Sequence, residues 1–168
     1  MEQVFTVPGW NRLWLGDITY IPTQQGFLYL AAVIAAYSRK MVGWSMSTRM
    51  RENLVIHDLE QAVGREQPNP GFIFHYDQGT QYTSRAFQKT LANYGIIQSI
   101  SQPGNTYDNA VVESFFKTLE TELVKGRNYV NQEEIFKYIE LYYNTQRLHS
   151  SLNYRGPSNY ECDSSKKT

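Results

Sequence analysis

The chain predicts an α/β fold, a five-stranded mixed sheet flanked by helices. Three observations carry this. The first third runs in apolar stretches of strand length, and the remainder interleaves helical stripes with short apolar runs. No break in composition divides the two. The 168 residues are the length of one ordinary domain able to bury a core.

The elements follow in order. Residues 14–21 read as a strand and 23–26 as a turn. Residues 27–35 form an apolar run almost free of charge, as a central strand requires. After a turn at 37–39, residues 41–46 make a third strand. The period then changes: Leu54, Val55, Leu59, Ala62 and Val63 recur at helical spacing, and Pro68, Pro70 and Gly71 end that helix. Residues 72–75 are a short strand. Ser84 caps a helix carrying Ala86, Phe87 and Leu91, which Gly95 stops, and 96–100 form the fifth strand. A loop over 101–109 leads into a helix with the stripe Val112, Phe115, Phe116, Leu119 and Leu123. In the next helix Asn131 and Glu134 have capping-box spacing, and Ile135, Tyr138, Ile139 and Tyr142 line one face.

Composition narrows the function. Hydrophobic residues at 41% and charged residues at 19% suit a folded domain, not a disordered one. The longest apolar run, 27–36, falls short of the ~18 residues that a membrane span needs. Residues 1–11 lack the basic-then-apolar layout of a signal peptide. Cys162 is the lone cysteine, which excludes an intrachain disulfide and points to a reducing cytoplasm. His57, His75 and His149 are scattered without zinc-site spacing. Lys plus Arg equals Asp plus Glu at 16 each, whereas a stand-alone DNA binder usually has a basic excess. Affinity for DNA would therefore come from bound metal, local patches or a further domain.

Three acidic residues stand out. Asp17 lies inside the first strand among apolar neighbours, where Asp is depleted and a carboxylate needs a cation or hydrogen bonds. Asp77 follows the fourth strand; alone, Asp77-Gln78-Gly79 is an ordinary turn. Glu113 opens a helix, where the helix dipole favours a carboxylate without any function. The combination carries the weight. Two magnesium ions ~4 Å apart need one shared carboxylate and one more ligand on each side. Magnesium takes hard oxygen ligands and keeps several waters, so three carboxylates suffice.

Here the residues match a family. Asp17 and Asp77 are separated by 59 residues, Asp77 and Glu113 by 35. The chain resembles the Asp-Asp-Glu cores of retroviral integrases and, more closely, bacterial insertion-sequence transposases. The matching segments are residues 14–21, residues 77–84 and residues 104–119. Tyr143-Asn144, Arg147, His149, Leu152, Tyr154 and Pro157 add a further match. The resemblance runs from about residue 11 to 160. Two positions depart from the family pattern: Tyr76 stands where the family usually has Ser. Glu120 stands where it usually has a basic DNA-contacting residue, and Lys117, one turn earlier, shares that face.

The resemblance implies a ribonuclease H-like fold and a DNA transposase core performing metal-dependent 3′-end cleavage and strand transfer. Its cofactor would be Mg2+ or Mn2+, two ions. Asp17 would bridge both ions, with Asp77 and Glu113 each holding one. Asn109, Lys117, Arg147 and His149 are candidate DNA contacts; a solvated helix end accounts equally well for the last two. The implied partners are DNA (element ends and target), further copies of the chain, and an upstream helix-turn-helix domain or protein, since none precedes Trp14. A truncated or cut-down product is expected, nucleoid-associated in a bacterial cytoplasm. Its domains read as a lead-in over 1–13, a catalytic core over 14–160 and a polar tail over 161–168. Two rivals stand beside this reading: an RNase H-like nuclease that cuts RNA in hybrids, and a catalytically silent fragment that binds partner subunits.

Overall fold

The computed structural model describes residues 12–76, 79–100, 110–125 and 130–165. Five strands form one sheet: β1 (Leu13–Thr23), β2 (Gly26–Ala35), β3 (Met41–Ser47), β4 (Ile73–Tyr76) and β5 (Ile97–Ile100). Their order is β3-β2-β1-β4-β5, which puts β1 at the centre. The hairpins make β1, β2 and β3 antiparallel, and the helical crossovers make β4 parallel to β1 and β5 parallel to β4. The mixed five-stranded sheet that the sequence predicts is therefore present.

Side chains alternate across the sheet and so divide the core in two. On one face Trp14, Ala31, Val33, Val42 and Phe74 pack against α1 (Glu52–Glu66) and α2 (Arg85–Asn93). On the other, Leu15, Leu30, Ala32 and Ile34 pack against α3 (Ala110–Leu119) and α4 (Gln132–Lys137). Two glycines allow close approach on the first face. A Cβ at Gly16 would enter the Phe74 ring, and one at Gly43 would meet the Asp58 carbonyl oxygen of α1.

The structure differs from the sequence reading in three places. α3 and α4 both widen into π turns, over Glu120–Val124 and Tyr138–Tyr143. A wider turn changes the helical phase. Tyr143 consequently faces the core, while Tyr142, expected on the buried face, is 40% exposed. The third difference is α5 (Pro157–Ser165), which continues through 161–165, a stretch the sequence reads as polar tail. Proline suits its first position. The Ser38 hydroxyl donates to Glu161 Oε1 at 2.6 Å, and Lys40 Nζ lies 3.3 Å from Glu161 Oε2. Polar docking of this kind leaves no apolar period to read. The capping box is as expected: Glu134 N–H donates to Asn131 Oδ1 and Asn131 N–H to Glu134 Oε2, each at 2.9 Å. Among the described residues, no helix is long and apolar enough to cross a membrane.

Candidate active site

Asp17 sits midway along the central strand, half-buried. It pairs with Ala32 of β2, which in turn pairs with Trp44 of β3. Paired residues share a face, and Ala32 and Trp44 belong to the core beneath α3. Asp17 therefore projects to the α3 side. Its Oδ1 accepts the Ile18 backbone N–H at 2.8 Å.

Glu113 lies in the first turn of α3, on that same side. Val112 and Phe115 are buried against the sheet and fix the helix rotation, leaving Glu113 exposed. It has no ion pair or hydrogen bond to any described residue. Lys117, one turn on, is likewise exposed. The sheet face and α3 thus bring two of the three predicted carboxylates to one side of the molecule.

Asp77 and Asn109 lie outside the described residues. Tyr76, the residue before Asp77, ends β4 beside Gly16, the residue before Asp17, in parallel register. Tyr76 is itself firmly held. Its ring stacks on Tyr82 with centroids 5.1 Å apart, its hydroxyl donates to Gln98 Oε1 at 2.9 Å, and Gln88 Nε2 donates to it at 3.2 Å. The large phenol at this position thus completes an aromatic cluster with Phe74, Tyr82 and Phe87. The turn over 79–83 closes through Tyr82 N–H and Thr83 N–H, both donating to the Gly79 carbonyl, and the Ser84 hydroxyl then caps α2. His75 bonds Ser99 on β5 through Nδ1 at 2.9 Å. Among the described residues, no three His, Cys, Asp or Glu side chains come together as a metal cluster. The donor chemistry still fits a hard divalent cation, because both described carboxylates offer oxygen and Glu113 has no competing partner among the described residues.

The remaining predicted DNA contacts sit elsewhere. Arg147 donates from Nε to Glu122 Oε1 at 2.8 Å, and the Tyr138 hydroxyl donates to Glu122 Oε2 at 2.6 Å. His149 stands edge-on to Tyr143 at 5.1 Å. Burial pushes its pKa down to about 4, helped by the nearby Arg147 and Arg39 cations, so it is neutral at pH 7.

Sequence reasoning missed Asp58 and Tyr82. Asp58 is fully buried on α1, both its oxygens without a hydrogen-bond partner among the described residues. Desolvation holds its pKa well above the usual carboxylate range, opposed in part by the Leu59 backbone amide. Tyr82 is equally enclosed, its hydroxyl also unpartnered among the described residues. Burial pushes that phenol up, and Asp58 and Asp17 push it further. One signal was available: Asp58 interrupts the apolar stripe of its helix, three residues after Val55 and four before Ala62.

Sheet order and helix placement together define an integrase-type α/β core. Residues 8–106 match the integrase core domain family, and residues 94–157 match a second model of the same description. The chain belongs to this integrase core domain family. It is 52% identical over 165 residues to the transposase for insertion sequence element IS904 of Lactococcus lactis subsp. lactis strain IL1403, covering 96% of this chain and 65% of that protein. It is 41% identical over 165 residues to transposase InsF for insertion sequence IS3A of Escherichia coli K12, covering 96% of this chain and 57% of that one. The chain thus spans less than two thirds of these relatives' length. Among solved structures, the catalytic core domain of HTLV-2 integrase in complex with magnesium is similar at a TM-score of 0.70 and 18% identity, over 90% of this chain and 96% of that one. The simian T-cell lymphotropic virus intasome gives 0.77 at 17% identity, over 90% of this chain and 54% of that one. The fold is that of retroviral integrase catalytic cores, ribonuclease H-like as the resemblance implies.

Proposed function

We propose that this chain is the metal-dependent catalytic core of an insertion-sequence transposase, which nicks the 3′ end of its element and joins the freed hydroxyl to target DNA. The observation that carries the reading is the placement of Asp17 and Glu113 on one side of the sheet. In sequence, Asp77 directly follows Tyr76, the register partner of Gly16. Asp17, Asp77 and Glu113 would hold Mg2+ or Mn2+, two ions. Two such ions supply Lewis acidity, lowering the pKa of an attacking hydroxyl and stabilising charge on the leaving oxygen of an in-line displacement.

The chain's own residues prepare the rest. The central strand and the Ile18 amide hold one oxygen of Asp17 in a set direction. Glu113, anchored between buried Val112 and Phe115, presents its carboxylate from a rigid helix start. Lys117 on the same flank offers a cation to a phosphate of the bound strand, and Asn109 is a further candidate contact. DNA ends, target DNA, further copies of the chain and an upstream helix-turn-helix domain or protein complete the proposed assembly. The identity to bacterial transposases over nearly the whole chain supports this, as does the magnesium in the HTLV-2 core.

Asp17→Asn tests the reading on a labelled element end and a plasmid target in magnesium. The expected result is loss of both nicking and joining by about a thousandfold or more, equivalent to about 4 kcal/mol of transition-state stabilisation, with an unchanged thermal midpoint. Retained joining by Asp17→Asn refutes the assignment. Degradation of RNA in hybrids with no joining by the parent chain would favour the nuclease reading instead.

A further inference from the structure

Beside α3, on the flank next to the one bearing Glu113 and Lys117, lies a groove of about 420 Å³. Its α3 wall is Ala110, Ser114 and Thr118, which recur every four residues and so share one flank. Tyr143, His149, Ser150 and Ser151 also line it, together with Arg39 of the β2–β3 turn. Ser114, Ser150 and Ser151 are exposed, so the hydroxyls face an accessible space.

The three basic side chains here differ. Arg147 is committed to Glu122, and His149 is neutral. Arg39 is half-buried, yet its guanidinium makes no hydrogen bond or ion pair with any described residue. A partly desolvated guanidinium without an anion is costly to maintain. Its backbone is unusual as well: Arg39 adopts a left-handed φ of 62°, a conformation that favours glycine or asparagine. The turn around it is pinned on both sides. Arg39 N–H donates to the Ala35 carbonyl at 2.9 Å, buried Ser38 is tied to Glu161, and Lys40 is tied to Glu66 at 2.8 Å and to Glu161. The surroundings therefore hold a strained residue whose charge points into a hydroxyl-lined groove. Strain of this kind, over-determined by its neighbours, collects at binding sites.

We infer that this groove is a DNA contact separate from the carboxylate site, in which the Arg39 guanidinium and the surrounding hydroxyls bind a backbone phosphate. It rests on the proposed DNA reaction and adds its own site to it. A guanidinium fork with serine and threonine hydroxyls is the usual donor set for phosphate oxygens and carries no base preference. The groove adjoins the flank of α3 that bears Lys117, so a bound duplex would meet two neighbouring flanks of the helix that holds Glu113. It also places a cation where the chain's zero net charge gave no sign of one.

Fluorescence anisotropy with a labelled duplex, in EDTA so that no strand is cut, tests this on Arg39→Asn and Arg39→Lys. Asparagine tolerates the left-handed backbone, and a thermal melt of each variant checks the fold. Arg39→Asn is expected to weaken binding about tenfold, equally for unrelated duplex sequences. The slope of log affinity against log salt should fall by about 0.9, the loss of one phosphate contact. Arg39→Lys should restore the slope. An Arg39→Asn variant that melts like the parent and binds with the parent's affinity and slope overturns the inference while leaving the carboxylate site untouched. A parent chain that binds no duplex in EDTA overturns the inference, whereas the carboxylate reading is tested separately by Asp17→Asn in magnesium. A change in self-association without a change in DNA binding would assign Arg39 to a protein interface and also overturn it.

Discussion

The two faces of the sheet are built differently. The α1–α2 face is closed and aromatic: Phe74, Tyr76, Tyr82 and Phe87 interlock, and glycines let α1 and Phe74 approach the backbone. Its polar groups, Asp58 and Tyr82, are sealed in. The α3–α4 face is equally apolar beneath its helices but polar around them. There Asp17 and Glu113 project, Arg147 meets Glu122, and both helices end in π turns. One face is sealed, and the other presents carboxylates on a frame whose helical phase is locally adjusted. Substitutions should therefore separate stability from activity according to face.

The largest contrast pairs Glu113→Gln with Phe74→Ala. Glu113→Gln should lower strand joining by about a thousandfold, about 4 kcal/mol, at an unchanged thermal midpoint, because the carboxylate is exposed and has no described partner. Phe74→Ala, which empties the centre of the aromatic cluster, should cost about 3–5 kcal/mol in urea unfolding. A stability loss from Glu113→Gln, or none from Phe74→Ala, would break the comparison.

A smaller effect sharpens it, because the two faces respond to pH with opposite signs. Asp58 is raised in the folded state, so folding retains its proton above the unfolded value of about 3.9, and stability falls as pH rises from there. His149 is lowered to about 4, so the unfolded chain binds the extra proton between about 4 and 6.5. Its contribution is complete above that window and is lost as pH falls through it. Urea midpoints from pH 4 to 8 should show Asp58→Asn removing the decline toward high pH and His149→Gln removing the loss at low pH. Parallel curves for parent and variants would contradict the assignment of these two groups.

Much of the fold was legible because burial imposes a period. The charge-poor run 27–35 became β2, the helical recurrence from Leu54 to Val63 became α1, and Asn131 with Glu134 formed the expected box. Asp17 was legible as a carboxylate out of place in a central strand. What escaped depends on distant partners. The π turns leave residue types unchanged and shift only the phase. α5 docks through Glu161 on Ser38 and Lys40, more than a hundred residues away in the chain. Arg39 looks like any turn arginine until its backbone angle is seen and its guanidinium is found without a partner among the described residues.

The central claim is that one divalent cation site gathers residues 17, 77 and 113. Replacing magnesium with Fe2+ and adding ascorbate and peroxide cuts the backbone beside the bound ion, and mapping the fragments by mass reads the site directly. Cuts adjoining all three positions, suppressed together by excess magnesium and absent in Asp17→Asn, are the expected result. Cuts confined to one segment, or three sets that magnesium suppresses independently, would contradict a shared site.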